Sequence, residues 1–299
     1  MDRPVGVAHF SGPLQPHGDG AFTVAVGGIA VRFEGLSEEL KAAALDRYRP
    51  FLSEDPPVHT VAVFEGPPDY LDMAEDKFLR LEEREFPEGR TLVSHVFAAL
   101  RPPADGKGVL RVSSEQTLHN AIGAVENYLR WVVADLALDR GGFVLHAAGL
   151  AKDGKAYLLF GHSGAGKSTA TEISLREMAG VLPLSDDLVL ILKQGERFVA
   201  ATTPFWGSLP QQVKERGLYP LAGAYRLRQS PSVQVREMPL ALAAGMILSC
   251  CPFVADPATR ADTLAPLVEA FCRCVPVKEL FLRKDPSFWE AIAPEEVPA

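Results

Sequence analysis

The chain has 299 residues, of which 47% are hydrophobic and 23% charged, and a formal net charge of −8. That balance fits one large or two ordinary folded domains, and the acidic excess argues against a surface that grips nucleic-acid phosphates. No window approaches the roughly 18 consecutive apolar residues of a membrane span, and no basic stretch with an apolar core opens the chain, so a cytoplasmic protein without membrane contact is expected.

The first twenty residues, rich in Gly, Pro and His, read as a loose or partly paired lead-in. Phe22 to Phe33, broken by Gly27-Gly28, has the pattern of a hairpin, and Val58 to Phe64 alternates as a strand. Between them Ser37 is placed to cap a helix reaching Tyr48. Pro67 to Arg90 is acidic and turn-rich. Leu92 to Leu100 and Val109 to Val112 are expected as strands around the turn at Pro102 to Gly106. Residues 1–112 thus form a small α+β domain.

A long helix follows over 113–140, with Ser113 and Gln116 as a capping box. Leu118, Ile122, Val125, Leu129, Val132 and Leu136 recur at steps of four and three, an apolar stripe suited to a connecting element. Gly141-Gly142 ends it.

Residues 141–299 carry the chemistry. Phe143 to Ala151 and Ala156 to Phe160 flank Lys152-Asp-Gly-Lys155, a hairpin with Asp-Gly at its tip. A helix is expected from Ser168 to Met178 and a strand from Val181 to Leu184. Leu188 to Leu192 and Arg197 to Ala201 form a second hairpin. Strands at Ala222 to Leu227, Val233 to Val235 and Val277 to Leu282 and a helix over Leu264 to Phe271 complete the chain. Hairpins on both sides of the central motif predict an antiparallel or mixed sheet, in contrast to the parallel sheet of most phosphate-loop ATPases. The four cysteines, Cys250, Cys251, Cys272 and Cys274, have neither zinc-knuckle spacing nor a need to bridge, and buried free thiols are expected.

The central motif is Gly161-His-Ser-Gly-Ala-Gly-Lys-Ser168, the full phosphate-loop pattern between a strand and a helix. Its glycines let successive N–H groups converge on phosphate oxygens, so Gly161, Ser163, Gly164, Ala165, Gly166, Lys167, Ser168 and Thr169 are expected to bind the phosphates of ATP. Lys167 would reach the β- and γ-phosphates, and the Ser168 hydroxyl would ligate Mg²⁺. His162, also in the loop, has no role assigned. Asp186-Asp187 follows at the end of a strand expected to run beside the loop strand. Adjacent residues of an extended chain face opposite sides, so Asp186 could hold the metal while Asp187 takes a proton from an acceptor hydroxyl. His146, on the strand antiparallel to the loop strand, could orient an aspartate or touch phosphate. Trp206, in Thr203-Pro-Phe-Trp-Gly207, reads first as part of a buried aromatic turn, with a place at an acceptor cleft as the alternative.

His146-Ala147, the hairpin, the loop and the paired aspartates together resemble the HPr serine kinase/phosphorylase family, which shares a fold with phosphoenolpyruvate carboxykinases. The resemblance implies a kinase in which Lys167 contacts phosphate, Ser168 and Asp186 bind Mg²⁺, Asp187 is the base and His146 assists it. The acceptor it implies is a hydroxyl of a protein, a peptide or a small compound. The sequence departs from the family elsewhere. Its Glu-x-Arg-Gly-Leu-Gly segment is met only partly by Glu215-Arg216-Gly217-Leu218, no arginine matches the catalytic one although Arg226 and Arg228 follow in a strand-like run, and the loop that binds HPr is unrecognisable. The alternative is a nucleotide-binding regulator or scaffold that has lost turnover. An ABC-type ATPase would suit the loop, but no Leu-Ser-Gly-Gly-Gln segment follows it in this sequence, and a carboxykinase would need a longer chain. Assembly as a homo-oligomer stays open.

Overall fold

The computed structural model describes residues 10, 15–66, 70, 81–87, 89–102, 107–207, 209–254 and 258–294. Most of the lead-in and most of the turns expected within 67–80 and 102–106 lie outside them. The chain divides into two compact units, Met1–Val133 and Ala134–Ala299, so that the division falls inside the long helix.

In the first unit, β1 (Gly20–Val26) and β2 (Ile29–Leu36) form the expected hairpin, and α1 (Glu38–Arg47) follows. Ser37 caps α1 by accepting from the Leu40 N–H at 3.2 Å, which satisfies one of the orphan donors of its first turn. Then come β3 (His59–Gly66), β4 (Glu82–Phe86), β5 (Gly89–Val93), β6 (Phe97–Arg101) and β7 (Gly108–Ser113). They make one seven-stranded mixed sheet in the order β1-β2-β3-β7-β6-β5-β4, with β2, β3 and β7 parallel. Two expectations need correcting here. The single strand from Leu92 to Leu100 is two antiparallel strands, because Ser94 turns the chain: its N–H donates to the Phe97 carbonyl and its hydroxyl accepts from Val96. The acidic stretch ending at Arg90 also contributes strand, since Glu83 pairs with the buried Arg90 and accepts from the Trp131 ring N–H at 2.9 Å.

The long helix, α2 (Leu118–Asp139), starts later than the capping box at Ser113 would require. Thr117 is its cap, with Oγ1 accepting from the Asn120 N–H at 3.3 Å, whereas Ser113 is the last residue of β7. Nor is its burial a single stripe: Leu118 is exposed, while Tyr128, Trp131, Val133, Ala134 and Ala137 are fully buried beside the expected Val125, Leu129 and Val132. The ionic groups Glu126 and Asp135, also buried, are met by Arg47 and Arg130 and by Arg260. A helix buried all round requires such pairing of its charges.

The second unit opens with β8 (Gly142–Lys152) and β9 (Lys155–Phe160), then α3 (Lys167–Glu177), β10 (Leu182–Ser185), β11 (Leu188–Gln194), β12 (Arg197–Ala201), β13 (Leu218–Gln229) and β14 (Gln234–Glu237). The helices α4 (Leu240–Leu248) and α5 (Ala258–Cys274), β15 (Val277–Leu282) and α6 (Phe288–Ile292) follow. Eight strands form a mixed sheet, as expected. Antiparallel pairs run β10-β8, β8-β11, β11-β12 and β12-β13, while β9, β13 and β15 are parallel neighbours. The loop helix is pinned from behind: the Trp289 ring N–H donates to Ser174 Oγ at 2.9 Å, and that hydroxyl donates to the Ala170 carbonyl at 2.7 Å. Trp289 also packs edge-on against Tyr157, with ring centres 5.3 Å apart. Truncating a buried ring of this size typically costs about 3–5 kcal/mol, so the C-terminal turn is a firm support for α3.

Among the described residues no helix is long and apolar enough to cross a membrane. All four cysteines are free, but only Cys251 is buried; Cys250 and Cys272 are half-buried and Cys274 is exposed, so the expectation of buried thiols holds for one of them.

Candidate phosphate-binding site

β9 ends at Phe160 and the chain leaves the sheet through Gly161 (φ +150°), Gly164 (φ +79°) and Gly166 (φ +107°) before entering α3. Gly164 and Gly166 occupy the left-handed region that glycine adopts without strain, and no atom lies within 4 Å of where a side chain on either would begin. Gly166 is the N-cap of α3 and brings no side chain to cap it. An eleven-residue helix therefore points its donor end and positive dipole into open space, an arrangement suited to an anion.

The Lys167 ammonium folds back to donate to the Gly161 carbonyl at 2.9 Å and makes no salt bridge with a described residue. Burial pulls it below the ordinary lysine range, against smaller upward effects of Cys250 and Asp187. A partly desolvated cation held by one neutral oxygen would gain a stronger partner in a phosphate.

Asp186 and Asp187 do not lie on a strand beside β9, as expected. β10 and β11 share one edge of β8, meeting it at 149–151 and 142–146, and the two aspartates form the break between them; β9 runs along the other edge. β8 is long enough, at eleven residues, to take three partners, which the strand pattern alone does not reveal. Buried Ser185 shapes the break, accepting from the N–H groups of Asp187 and Leu188 at 3.2 Å each and donating to the Phe205 carbonyl at 2.6 Å.

The carboxylates then differ. Asp186 is 3% exposed and accepts from the N–H groups of Gly207 (2.7 Å) and Leu209 (3.1 Å). Burial raises its pKa, against the lowering effect of those two donors. Asp187 is more open, with Oδ1 3.4 Å from His146 Nε2. The His146 side chain is 48% exposed, and its backbone N–H donates to the Cys250 carbonyl at 2.7 Å.

These groups line one cavity of about 710 Å³: His146, Asp186 and Asp187 with Ser163, Gly164, Ala165, Gly166, Lys167, Ser168 and Thr169. Of the residues expected to bind phosphate only Gly161 stands outside the lining, where its carbonyl holds Lys167. Trp206 is buried in a turn and is not part of the wall, whereas Gly207 beside it is. Arg226 and Arg228 are both spent on Glu279, at 3.3 and 3.2 Å, and Glu215 is exposed outside the cavity.

Several lining residues were not anticipated: Gly207, Gln229, Ser230, Pro231, Arg283 and Lys284. The Gln229 side chain donates to the Gly164 carbonyl at 2.9 Å and so ties the end of β13 to the loop. Ser230-Pro231-Ser232 reads as a turn and Arg283-Lys284 as a charged strand end; the one available signal was that each directly follows an apolar strand.

Among the described residues no three of His, Cys, Asp and Glu gather into a metal cluster. The hard oxygen donors of Ser168, Asp186 and Asp187 nevertheless face one cavity. That set suits Mg²⁺, which keeps several waters and takes only one or two protein ligands beside phosphate oxygens.

A family model described as SynChlorMet cassette protein ScmC matches residues 122–293, more than half of the chain and all of the cavity. No curated protein matches. Among solved structures, the HPr(Ser) kinase/phosphatase from Coxiella burnetii is similar over 50% of this chain and 92% of its own, at 9% identity and a TM-score of 0.27, a distant and partial likeness. With its loop, helix and acidic break all inside the matched stretch, the chain belongs to the ScmC family.

Proposed function

We propose that this chain is a MgATP-dependent phosphotransferase that moves the γ-phosphoryl group of ATP to a hydroxyl of a protein, a peptide or a small compound. The observation that carries the reading is the meeting of a glycine-rich loop, a partly buried Lys167 and the His146–Asp187 pair in one cavity. The loop N–H groups and Lys167 would hold the β- and γ-phosphates. Asp187 would accept the proton of the acceptor hydroxyl as its oxygen bonds to the γ-phosphorus; the bond from that phosphorus to the β–γ bridging oxygen breaks and ADP leaves. His146 would keep the Asp187 carboxylate aimed at the acceptor. Mg²⁺, when bound, supplies positive charge to the phosphate oxygens, and Ser168 and Asp186 are the residues that would hold it.

A nucleotide-binding regulator without turnover is the second reading. It is favoured by Arg226 and Arg228, which are both committed to Glu279 outside the cavity. Transfer of labelled γ-phosphate into components of a host extract, or its release as inorganic phosphate, separates the two. The Asp187→Asn chain is expected to lose transfer by about 10²–10⁴-fold while ATP affinity changes little, the usual scale for removing a general base. A wild-type chain that binds MgATP but neither transfers nor hydrolyses it would give the second reading its place.

A further inference from the structure

The cavity has two chemically different ends. One holds His146, Asp186, Asp187 and Gly207; the other is built from the carboxyl ends of two parallel strands, Gln229-Ser230-Pro231 after β13 and Leu282-Arg283-Lys284 after β15. In open sheets that is the edge at which ligands seat, because the chain turns away there and leaves a crevice. The parallel register sets Gln229 opposite Leu282, and the Gln229 side chain reaches the Gly164 carbonyl, so this second end directly adjoins the phosphate loop.

The two cations at this end are not equivalent. Arg283 is neutralised by Asp285 at 2.9 Å and reaches toward Ser287, whereas Lys284 makes no salt bridge with a described residue. Pro231, Ile173 and Leu282 add apolar wall to the same cavity, surface suited to the face of a planar base. Phosphate charge that runs from Lys167 toward the aspartates leaves the other end of the nucleotide to run toward Lys284.

Resting on the kinase reading, we propose that Gln229–Pro231 and Leu282–Lys284 form the nucleoside end of the cavity and that Lys284 contacts the α-phosphate. The site then takes a nucleoside 5′-triphosphate in preference to a bare polyphosphate. Lys284 is a specificity-determining residue that takes no part in the chemical step, and its charge discriminates ligands by what lies beyond the two outer phosphates.

Titration calorimetry of the full chain with MgATP and with magnesium pyrophosphate, which fills only the two outer phosphate positions, tests this. Lys284→Ala is expected to weaken MgATP about tenfold or more, the scale of one charge-assisted hydrogen bond, and pyrophosphate, which has no third phosphate, less than twofold, with Lys284→Arg restoring most of the loss. Equal weakening of both ligands would put Lys284 on the outer phosphates and overturn the assignment, and unchanged affinity for both would make it a solvated surface lysine. Wild-type binding of pyrophosphate as tight as that of ATP would also overturn it while leaving the loop reading intact. Binding of neither ligand would instead sink the phosphate-loop reading itself.

Discussion

Each unit contains three parallel strands side by side, β2-β3-β7 in the first and β9-β13-β15 in the second, and the carboxyl ends of the two sets have opposite fates. In the first they are sealed. The Ser114 N–H donates to the Gly66 carbonyl at 3.2 Å, the Ser113 N–H donates to the Val96 carbonyl at 3.0 Å, and the Tyr70 side chain fills the space that a side chain on Gly66 would need. In the second the chain departs after Phe160 through positive-φ glycines, and nothing lies within 4 Å of where a side chain on Gly164 or Gly166 would begin. Parallel strands alone therefore do not make a binding edge. What sets the second edge apart is a connection whose backbone donors are left facing outward and whose nearest side chains stay clear.

The sharpest way to break this contrast is to remove the cation that the open end presents. Lys167→Met keeps the apolar stem and is expected to weaken nucleotide binding about a hundredfold, near 3 kcal/mol, while the thermal unfolding midpoint moves little. Fluorescent-nucleotide titration beside a melting curve checks it, and a loss of binding matched by a collapse of the fold would mean that Lys167 is structural.

The sealed unit makes a different prediction, about stability and pH. His59 Nε2 lies 2.9 Å from the Tyr128 hydroxyl, and burial, aided by Arg101, pushes the imidazole pKa down to about 4. The unfolded chain, with an ordinary histidine near 6.5, binds the extra proton between those two values. Stability is thus intact above the upper value, falls as pH drops through the window, and has lost this contribution below the lower. Discounted for partial exposure, the loss amounts to about 2 kcal/mol. Denaturant unfolding at stepped pH should show a slope in that window that His59→Gln removes, with nucleotide binding unaffected.

The smallest effect on stability is expected at Asp186. Asp186→Asn keeps the shape but sets an amide NH₂ against one of the two N–H groups, of Gly207 or Leu209, that now donate to it. A cost of about 1 kcal/mol in unfolding is expected. Faster hydrogen exchange at those two backbone amides would localise it, and unchanged exchange there would show that the carboxylate does not hold this turn.

Much of the architecture was legible as a pattern. The Ser37 cap, the hairpins around Gly27-Gly28 and Asp153-Gly154, the loop and its helix, and β15 each depend on residues close in the chain, where turn chemistry and periodicity act directly. The pattern fell short elsewhere, and for different reasons. Leu92 to Leu100 breaks at Ser94 because Phe97 takes its N–H, α2 buries nearly all its faces, and α4 and α6 carried no periodic signal of their own.

The candidate site divides in the same way. Local order along the chain was enough to specify a glycine-rich loop, its lysine, its serine and a carboxylate pair, because left-handed glycines and a helix start are written within eight consecutive residues. Which side of β8 the aspartates occupy, that Asp186 holds a turn while Asp187 meets His146, and that Gln229 and Lys284 close the cavity were all set by strand register. Register is a property of pairing between segments tens of residues apart, fixed by packing of the whole sheet, and no single stretch of sequence carries it.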